Sequence, residues 1–197
     1  TIEHAIRRAK RLNSTLPSAL FDFVKSNLLL EGPLAARQQQ LYFCLKFQQL
    51  TGPVMAKGLE DTVCYTYNRF IALNEVGGSP GGFGISLDDF HRANAARARQ
   101  WPHSMLATST HDTKRSEDVR ARLQVLSEMP AEWSRAVMRW RRSNERHKTT
   151  LPDGRFAPDA NEEYFLYQTL LGAWPFQNAQ VAPGEDFIAR IEAYMEK

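Results

Sequence analysis

The sequence predicts a mainly α-helical chain that carries about two short strands, and three observations point that way. Apolar residues recur at helical spacing over most of the 197 residues. β-like runs are confined to two short segments, Val54 to Ala56 and Met105 to Thr110. No internal repeat, low-complexity tract or clear linker interrupts the pattern.

Taken in order, residues Ile2 to Leu12 place Ile2, Ala5, Ile6 and Ala9 on one helical face, and Pro17 to Leu30 does the same with Leu20, Val24 and Leu28. Gly32-Pro33 ends the second helix and opens a third through Leu34, Leu41 and Leu45, which Thr51-Gly52-Pro53 is expected to stop. The apolar triplet Val54 to Ala56 then reads as a buried strand ending at Lys57-Gly58. A helix from Glu60 or Asp61 to about Leu73 follows, with Val63, Tyr67 and Phe70 inward. Gly77 to Gly84 is the one glycine-dense loop. It lacks the Gly-Lys-Ser/Thr ending of a phosphate cradle, so it reads as a plain connection.

Ser86 is a helix cap for a segment through Phe90 to about Gln100, broken by Trp101-Pro102. The run to Thr110 alternates small, apolar and hydroxyl residues like a buried strand, and Ser116, Glu117 and Asp118 read as an N-cap with an acidic first turn. His111-Asp112-Thr113-Lys114-Arg115 is then a strand-to-helix loop, the position where α/β folds place functional residues. Beyond it the pattern is helical, with stripes at Val119, Leu123 and Leu126, at Trp133, Val137 and Trp140, and at Tyr164, Tyr167 and Leu171. A Pro152 to Arg155 turn separates the last two, and a final helix runs from about Glu185 with Phe187 or Ile188 and Ile191 inward.

Composition narrows the function classes. With 43% hydrophobic and 24% charged residues the chain can bury one sizeable core or two small ones. A net charge of +3, from 25 basic and 22 acidic residues, is too mild to imply nucleic acid or a membrane surface. No apolar run approaches the ~20 residues of a membrane span. Cys44 and Cys64 have no metal-like spacing and read as buried thiols of a reducing, cytoplasmic compartment. The start Thr1-Ile-Glu-His has neither a signal-peptide core nor an initiator Met, which reads as a fragment or a processed chain.

Three constellations compete. Arg135, Arg139, Arg141, Arg142, Arg146 and Lys148 could track phosphates, but Glu132 and Glu145 interrupt the run, so a solvated face is the better reading. His111-Asp112, with His91 and Asp159 or Asp186, could serve a helical metal-dependent phosphohydrolase of the HD type. That type carries its pair within a helix, whereas here it lies between a β-like run and a helix start. His4, His103 and His147 show no ligand spacing. A carbohydrate site suits the residues better, since glycosyl transfer passes through an oxocarbenium-like state that carboxylates stabilise while cations bind neighbouring hydroxyls. His111 and Asp112 fit the first task and Lys114 and Arg115 the second. Lys57 and Glu60 join them if the two strands are parallel neighbours opening on one face.

Four segments carry a longer resemblance: Gln48-Gln-Leu-Thr-Gly-Pro-Val-Met-Ala-Lys-Gly-Leu-Glu-Asp-Thr62, Leu73-Asn-Glu-Val-Gly-Gly78, Ala107-Thr-Ser-Thr-His-Asp-Thr-Lys-Arg-Ser-Glu-Asp-Val-Arg-Ala-Arg122 and Asn161-Glu-Glu-Tyr-Phe-Leu-Tyr-Gln-Thr-Leu-Leu-Gly-Ala-Trp-Pro175. Together they resemble the malto-oligosyltrehalose synthase family of the α-amylase superfamily. The resemblance implies a cofactor-free intramolecular transglucosylase, acting on malto-oligosaccharides to turn the reducing-end α-1,4 linkage into an α,α-1,1 linkage.

By the same resemblance Asp112 matches the carboxylate that stabilises the distorted ring, and His111 the adjacent histidine. Lys57, Glu60, Lys114 and Arg115 would line the subsite where the released glucose turns over, without metal. The resemblance further implies an incomplete (β/α)8 barrel, with residues 1–118 as a partial barrel region and 119–197 as a helical extension. The nucleophile and acid/base would lie outside these 197 residues, so the chain alone is expected to be inactive.

Overall fold

Proline inside a helix removes one ladder hydrogen bond and crowds the preceding turn, so Pro53 is expected to end the third helix. The computed structural model describes residues 2–175 and 182–196. In it the third helix does not stop at Thr51-Gly52-Pro53. Helix α3 (Arg37–Met55) runs through Pro53, and the backbone then widens into a π-type stretch, Ala56–Val63, leading into the short α4 (Cys64–Thr66). Widening of this kind is how a helix accommodates a disturbed ladder. The expected strand at Val54 to Ala56 is thus helical. An apolar triplet carries no period of its own, and among the described residues no strand pairs with it. The helix expected from Glu60 to Leu73 is also replaced: α4 ends at Thr66, and a single 3-10 turn covers Ile71–Leu73.

The chain forms two compact units, Thr1–Leu59 and Glu60–Lys197. The first holds α1 (Ile2–Leu12), α2 (Ser18–Leu28) and α3. Lys10 pairs with Asp22 at 2.6 Å and Lys25 with Glu3 at 3.2 Å, tying α1 to α2. The Cys44 thiol donates to the Asn27 carbonyl at 3.1 Å, tying α3 to α2. Only Gln40 and Cys44 of α3 are buried, while Leu20, Leu34, Leu41, Leu45 and Leu50 stay exposed.

The second unit has a small core of Ile71, Ala72, Leu123 and Phe165, against which Phe70, Val119, Leu126, Leu171, Tyr194 and Met195 pack. Its helices are α4, α5 (Leu87–Gln100), α6 (Glu117–Gln124), α7 (Pro130–Asn144), α8 (Ala160–Ala173) and α9 (Glu185–Met195). Helix α8 crosses α6 closely enough that a Cβ on Gly172 would lie 2.7 Å from Val119 Cγ1. Gln168 is fully buried and uses its whole amide. Its Nε2 donates to the Asn68 carbonyl at 2.8 Å, and its Oε1 accepts from Ile71 N–H at 3.0 Å. The caps read from sequence are present. Ser86 Oγ accepts from Asp89 N–H at 3.1 Å, and Ser116 Oγ from Val119 N–H at 3.4 Å. On α7, Trp133 Nε1 donates to the Tyr164 hydroxyl at 3.0 Å, and Trp140 meets Tyr167 with ring centroids 5.3 Å apart.

The sheet content differs from expectation in place and kind. Residues 105–110 form no strand: Met105 is 98% exposed and Leu106 76%. The described residues instead hold one antiparallel hairpin, β1 (Thr149–Thr150) with β2 (Phe156–Ala157), in the register Thr149 to Ala157 and Thr150 to Phe156. The Pro152 to Arg155 turn read from sequence is the loop of this hairpin. A β-like run without a partner has no ladder to complete and forms no strand, while two residues on each side of a good turn suffice to pair.

Candidate active-site loop

Short hydroxyl side chains shape the segment that carries the His-Asp pair. Thr113 Oγ1 donates to the Thr110 carbonyl at 2.9 Å, and Asp112 N–H donates to Thr110 Oγ1 at 3.3 Å, which closes residues 110–113 as a turn. Ser109 Oγ accepts from Glu117 N–H at 3.0 Å and fixes the approach to α6. His111 and Asp112 are left exposed at the tip, and among the described residues neither side chain has a hydrogen-bonding or ionic partner.

Behind the tip, one distant carboxylate holds the loop. Glu75 Oε1 accepts from the Lys114 N–H at 2.8 Å and from the Val76 N–H at 2.9 Å. Its Oε2 accepts from Arg120 Nη1 at 3.0 Å and from the Arg115 N–H at 3.4 Å. Arg120 also donates to the carbonyls of Arg115 and Thr108. Burial alone would push the Glu75 carboxyl up. The hydrogen bonds from Lys114, Val76, Arg120 and Arg115 outweigh it and hold the group below the usual carboxylate range.

Lys114 reaches the other way. Its Nζ lies 2.8 Å from Asp61 Oδ1 and 5.1 Å from the Tyr65 ring centre. The bond to Asp61 raises its pKa above the ordinary lysine value. Glu60, half-buried beside Asp61, accepts from the Gly77 N–H at 3.3 Å. Arg115 is buried: Nη1 donates to the carbonyls of Ile71 at 3.2 Å and Asn74 at 3.5 Å, Nη2 to the Tyr194 hydroxyl at 3.3 Å, and its guanidinium lies 5.7 Å from the Phe165 ring centre.

The structure therefore gathers Glu60, Asp61, Glu75, Lys114 and Arg115 about the turn at residues 74–78. The expected route to this convergence, two parallel strands opening on one face, is absent among the described residues. His111 and Asp112 lie next to the cluster along the chain, and Lys57 is exposed in the first unit, three residues before Glu60. Sequence reasoning missed Glu75, Asp61 and Arg120 as parts of this arrangement. The signal available for Glu75 was its position in the Leu73 to Gly78 segment, where an acid stands just ahead of two glycines.

No group of three or more His, Cys, Asp or Glu residues suited to a metal ion occurs among the described residues, and His91 sits against the Phe90 ring at 5.6 Å. The basic face of α7 is partly neutralised, with Arg135 on Glu132 at 3.0 Å and Arg141 3.8 Å from Glu163. No helix among the described residues is long and apolar enough to cross a membrane.

Comparison with known proteins gives a consistent answer. No protein-family model matches the chain. A Mycobacterium tuberculosis protein named as a maltooligosyl trehalose synthase is 42% identical over 153 residues, covering 78% of this chain and 18% of that protein. The structure of maltooligosyltrehalose synthase from Arthrobacter ramosus superposes with a TM-score of 0.72 at 35% identity, covering 99% of this chain and 22% of that one. A Sulfolobus tokodaii structure named as a maltooligosyl trehalose synthase gives 0.64 at 32% identity, covering 98% and 28%. These matches name one class of protein, the maltooligosyl trehalose synthases. Within it, the chain is a homologue of one segment of the maltooligosyl trehalose synthases, and it spans about a fifth of the length of these relatives.

Proposed function

We propose that this chain is the part of a longer maltooligosyl trehalose synthase that supplies the ring-stabilising carboxylate and a glucose-turning subsite. In this reading the whole enzyme isomerises the reducing-end α-1,4 linkage of a malto-oligosaccharide to the α,α-1,1 linkage of a terminal trehalose unit. It needs no cofactor and works in the cytoplasm. The observation that carries the reading is the 42% identity over 153 residues. It is supported by a His-Asp tip whose following residues, Lys114 and Arg115, are held through their main-chain N–H groups by a separate carboxylate.

Asp112 would face the positive charge that develops on the reacting sugar ring, and His111 would hydrogen-bond the same glucose. Lys57, Glu60 and Lys114 would bind the glucose that rotates before its anomeric hydroxyl attacks, while Arg115, expected from sequence to join them, is buried on the Ile71 and Asn74 carbonyls and would hold the turn beneath them. Exclusion of water during that step decides between isomerisation and hydrolysis. Residues 105–110, exposed and unpaired here, would form a barrel strand once the remaining sheet supplies a ladder. Residues 1–118 would then belong to the barrel region and 119–197 to a helical extension.

The nucleophile and acid/base would come from elsewhere in the longer polypeptide. The test is to incubate this chain, and separately the longer polypeptide containing it, with maltopentaose and to follow loss of reducing ends together with trehalose-ended product. Product from the longer polypeptide alone is expected. Product from the 197 residues alone would overturn the division of catalytic groups, and none from either would overturn the assignment.

A further inference from the structure

The carboxylate of Glu75 is saturated. A carboxylate offers about four acceptor positions, and the four donors on Glu75 are the main-chain N–H groups of Val76, Lys114 and Arg115 and the Arg120 guanidinium, at 2.8 to 3.4 Å. The side chain of Glu75 is 19% exposed and that of Arg120 18%, so both lie largely behind the surface. Three of the four partners lie 39 to 45 residues away along the chain. The same turn also gives its Gly77 N–H to Glu60. The 74–78 turn thus touches both halves of the polar cluster, the Glu60–Asp61 half through Gly77 and the Lys114–Arg115 half through Glu75.

We infer that Glu75 is a positioning residue that fixes the spacing between the Glu60–Asp61 stretch and the His111 to Arg115 loop, and so governs how far the site favours isomerisation over release of free glucose. The inference rests on the proposed function for its reaction, though not for its geometry. Glu75 touches no substrate in this account. It acts by holding two main-chain N–H groups, which sets where the Lys114 ammonium and the neighbouring Asp112 point. Loss of the clamp frees the loop, and a loose loop admits water to a step that must exclude it.

The test has two arms. In the longer polypeptide, Glu75→Gln presents an amide to the same donors. Its kcat on maltopentaose should fall about 100-fold, the loss expected for a displacement of ~1 Å at a reacting centre. KM should change little, and the share of free glucose among products should rise. Glu75→Asp, which keeps the charge, should recover part of both. A merely structural role would lower the melting temperature without moving the product ratio. A kcat and a product ratio unchanged in Glu75→Gln would overturn the inference.

In the 197-residue chain, amide hydrogen exchange at Lys114 and Arg115 should accelerate about tenfold or more in Glu75→Gln, as expected for loss of a hydrogen bond to a charged group. Unchanged exchange there would also overturn it. If the unsubstituted longer polypeptide makes no trehalose-ended product, the proposed function fails, and the exchange experiment alone decides on Glu75.

Discussion

At the scale of single residues, the exposed pair His111–Asp112 and the buried anchors behind it separate what the fold needs from what the proposed reaction would need. Asp112 has no side-chain partner among the described residues, so folding gains nothing from its charge. Asp112→Asn should therefore leave the urea midpoint of this chain within ~0.5 kcal/mol of the parent, the range of ordinary surface substitutions. In the longer polypeptide it should abolish trehalose-ended product. A large loss of stability instead would show that Asp112 serves the fold. Glu163 is the opposite case. Its side chain is 4% exposed and lies 2.6 Å from Lys148 Nζ, with the Tyr167 hydroxyl donating to it at 2.6 Å. Lys148→Ala leaves that carboxylate buried with weaker partners and should cost about 3 kcal/mol in chemical denaturation.

Among the elements, the α6–α8 crossing is the most demanding contact. Gly172 leaves no room for a side chain against Val119, so Gly172→Val should destabilise the second unit by about 2 kcal/mol through overpacking, read as a lower urea midpoint at unchanged slope. A neutral result would mean that α6 can slide. The crossing also shows which features the sequence made legible. Ser86 and Ser116 were readable as caps because capping is chemistry within three residues. The amphipathic stripes on α6 and α8 were readable because helical period is local too.

Val54 to Ala56 was misread because three apolar residues look the same in a strand or a helix, and nothing nearby announces that α3 tolerates Pro53. The hairpin at 149–157 escaped because two-residue strands lie below any periodic signal. Within the candidate site, the His-Asp-Thr-Lys-Arg loop stood out by composition. Glu75 did not, since all but one of its partners are far away in sequence.

For the whole molecule, Glu75, Glu163 and Lys114 shape stability against pH, and the Cys64 thiol and Tyr167 hydroxyl, both pushed up chiefly by burial, add to the alkaline limb. Glu75 and Glu163 are both held below the ordinary carboxylate range: burial opposes this in each, and their hydrogen bonds and cationic partners outweigh it. Groups of this kind contribute fully above the unfolded carboxylate value of about 4.3, and the contribution disappears as pH falls through their lower folded values. Lys114, raised by its bond to Asp61, contributes below the unfolded lysine value of about 10.4 and loses this as pH rises through its higher folded value. A plateau of melting temperature from about pH 5 to 9 is therefore expected, with an acid limb that becomes shallower in Glu75→Gln. An acid limb unaffected by that substitution would remove Glu75 from the account.

The hydrophobic core has a further consequence. Its members come from residues 70–72, 119–126, 165–171 and 194–195, so Tyr194 and Met195 are among the last to join it, and Tyr194 also holds Arg115. The three-helix unit at the start is built from neighbouring hairpins and can close while synthesis continues, because local contacts need no distant chain. The second unit must wait. During translation Tyr194 and Met195 can cover the rest only once α9 has left the ribosome, and until then that side of the core stays open to solvent or a chaperone.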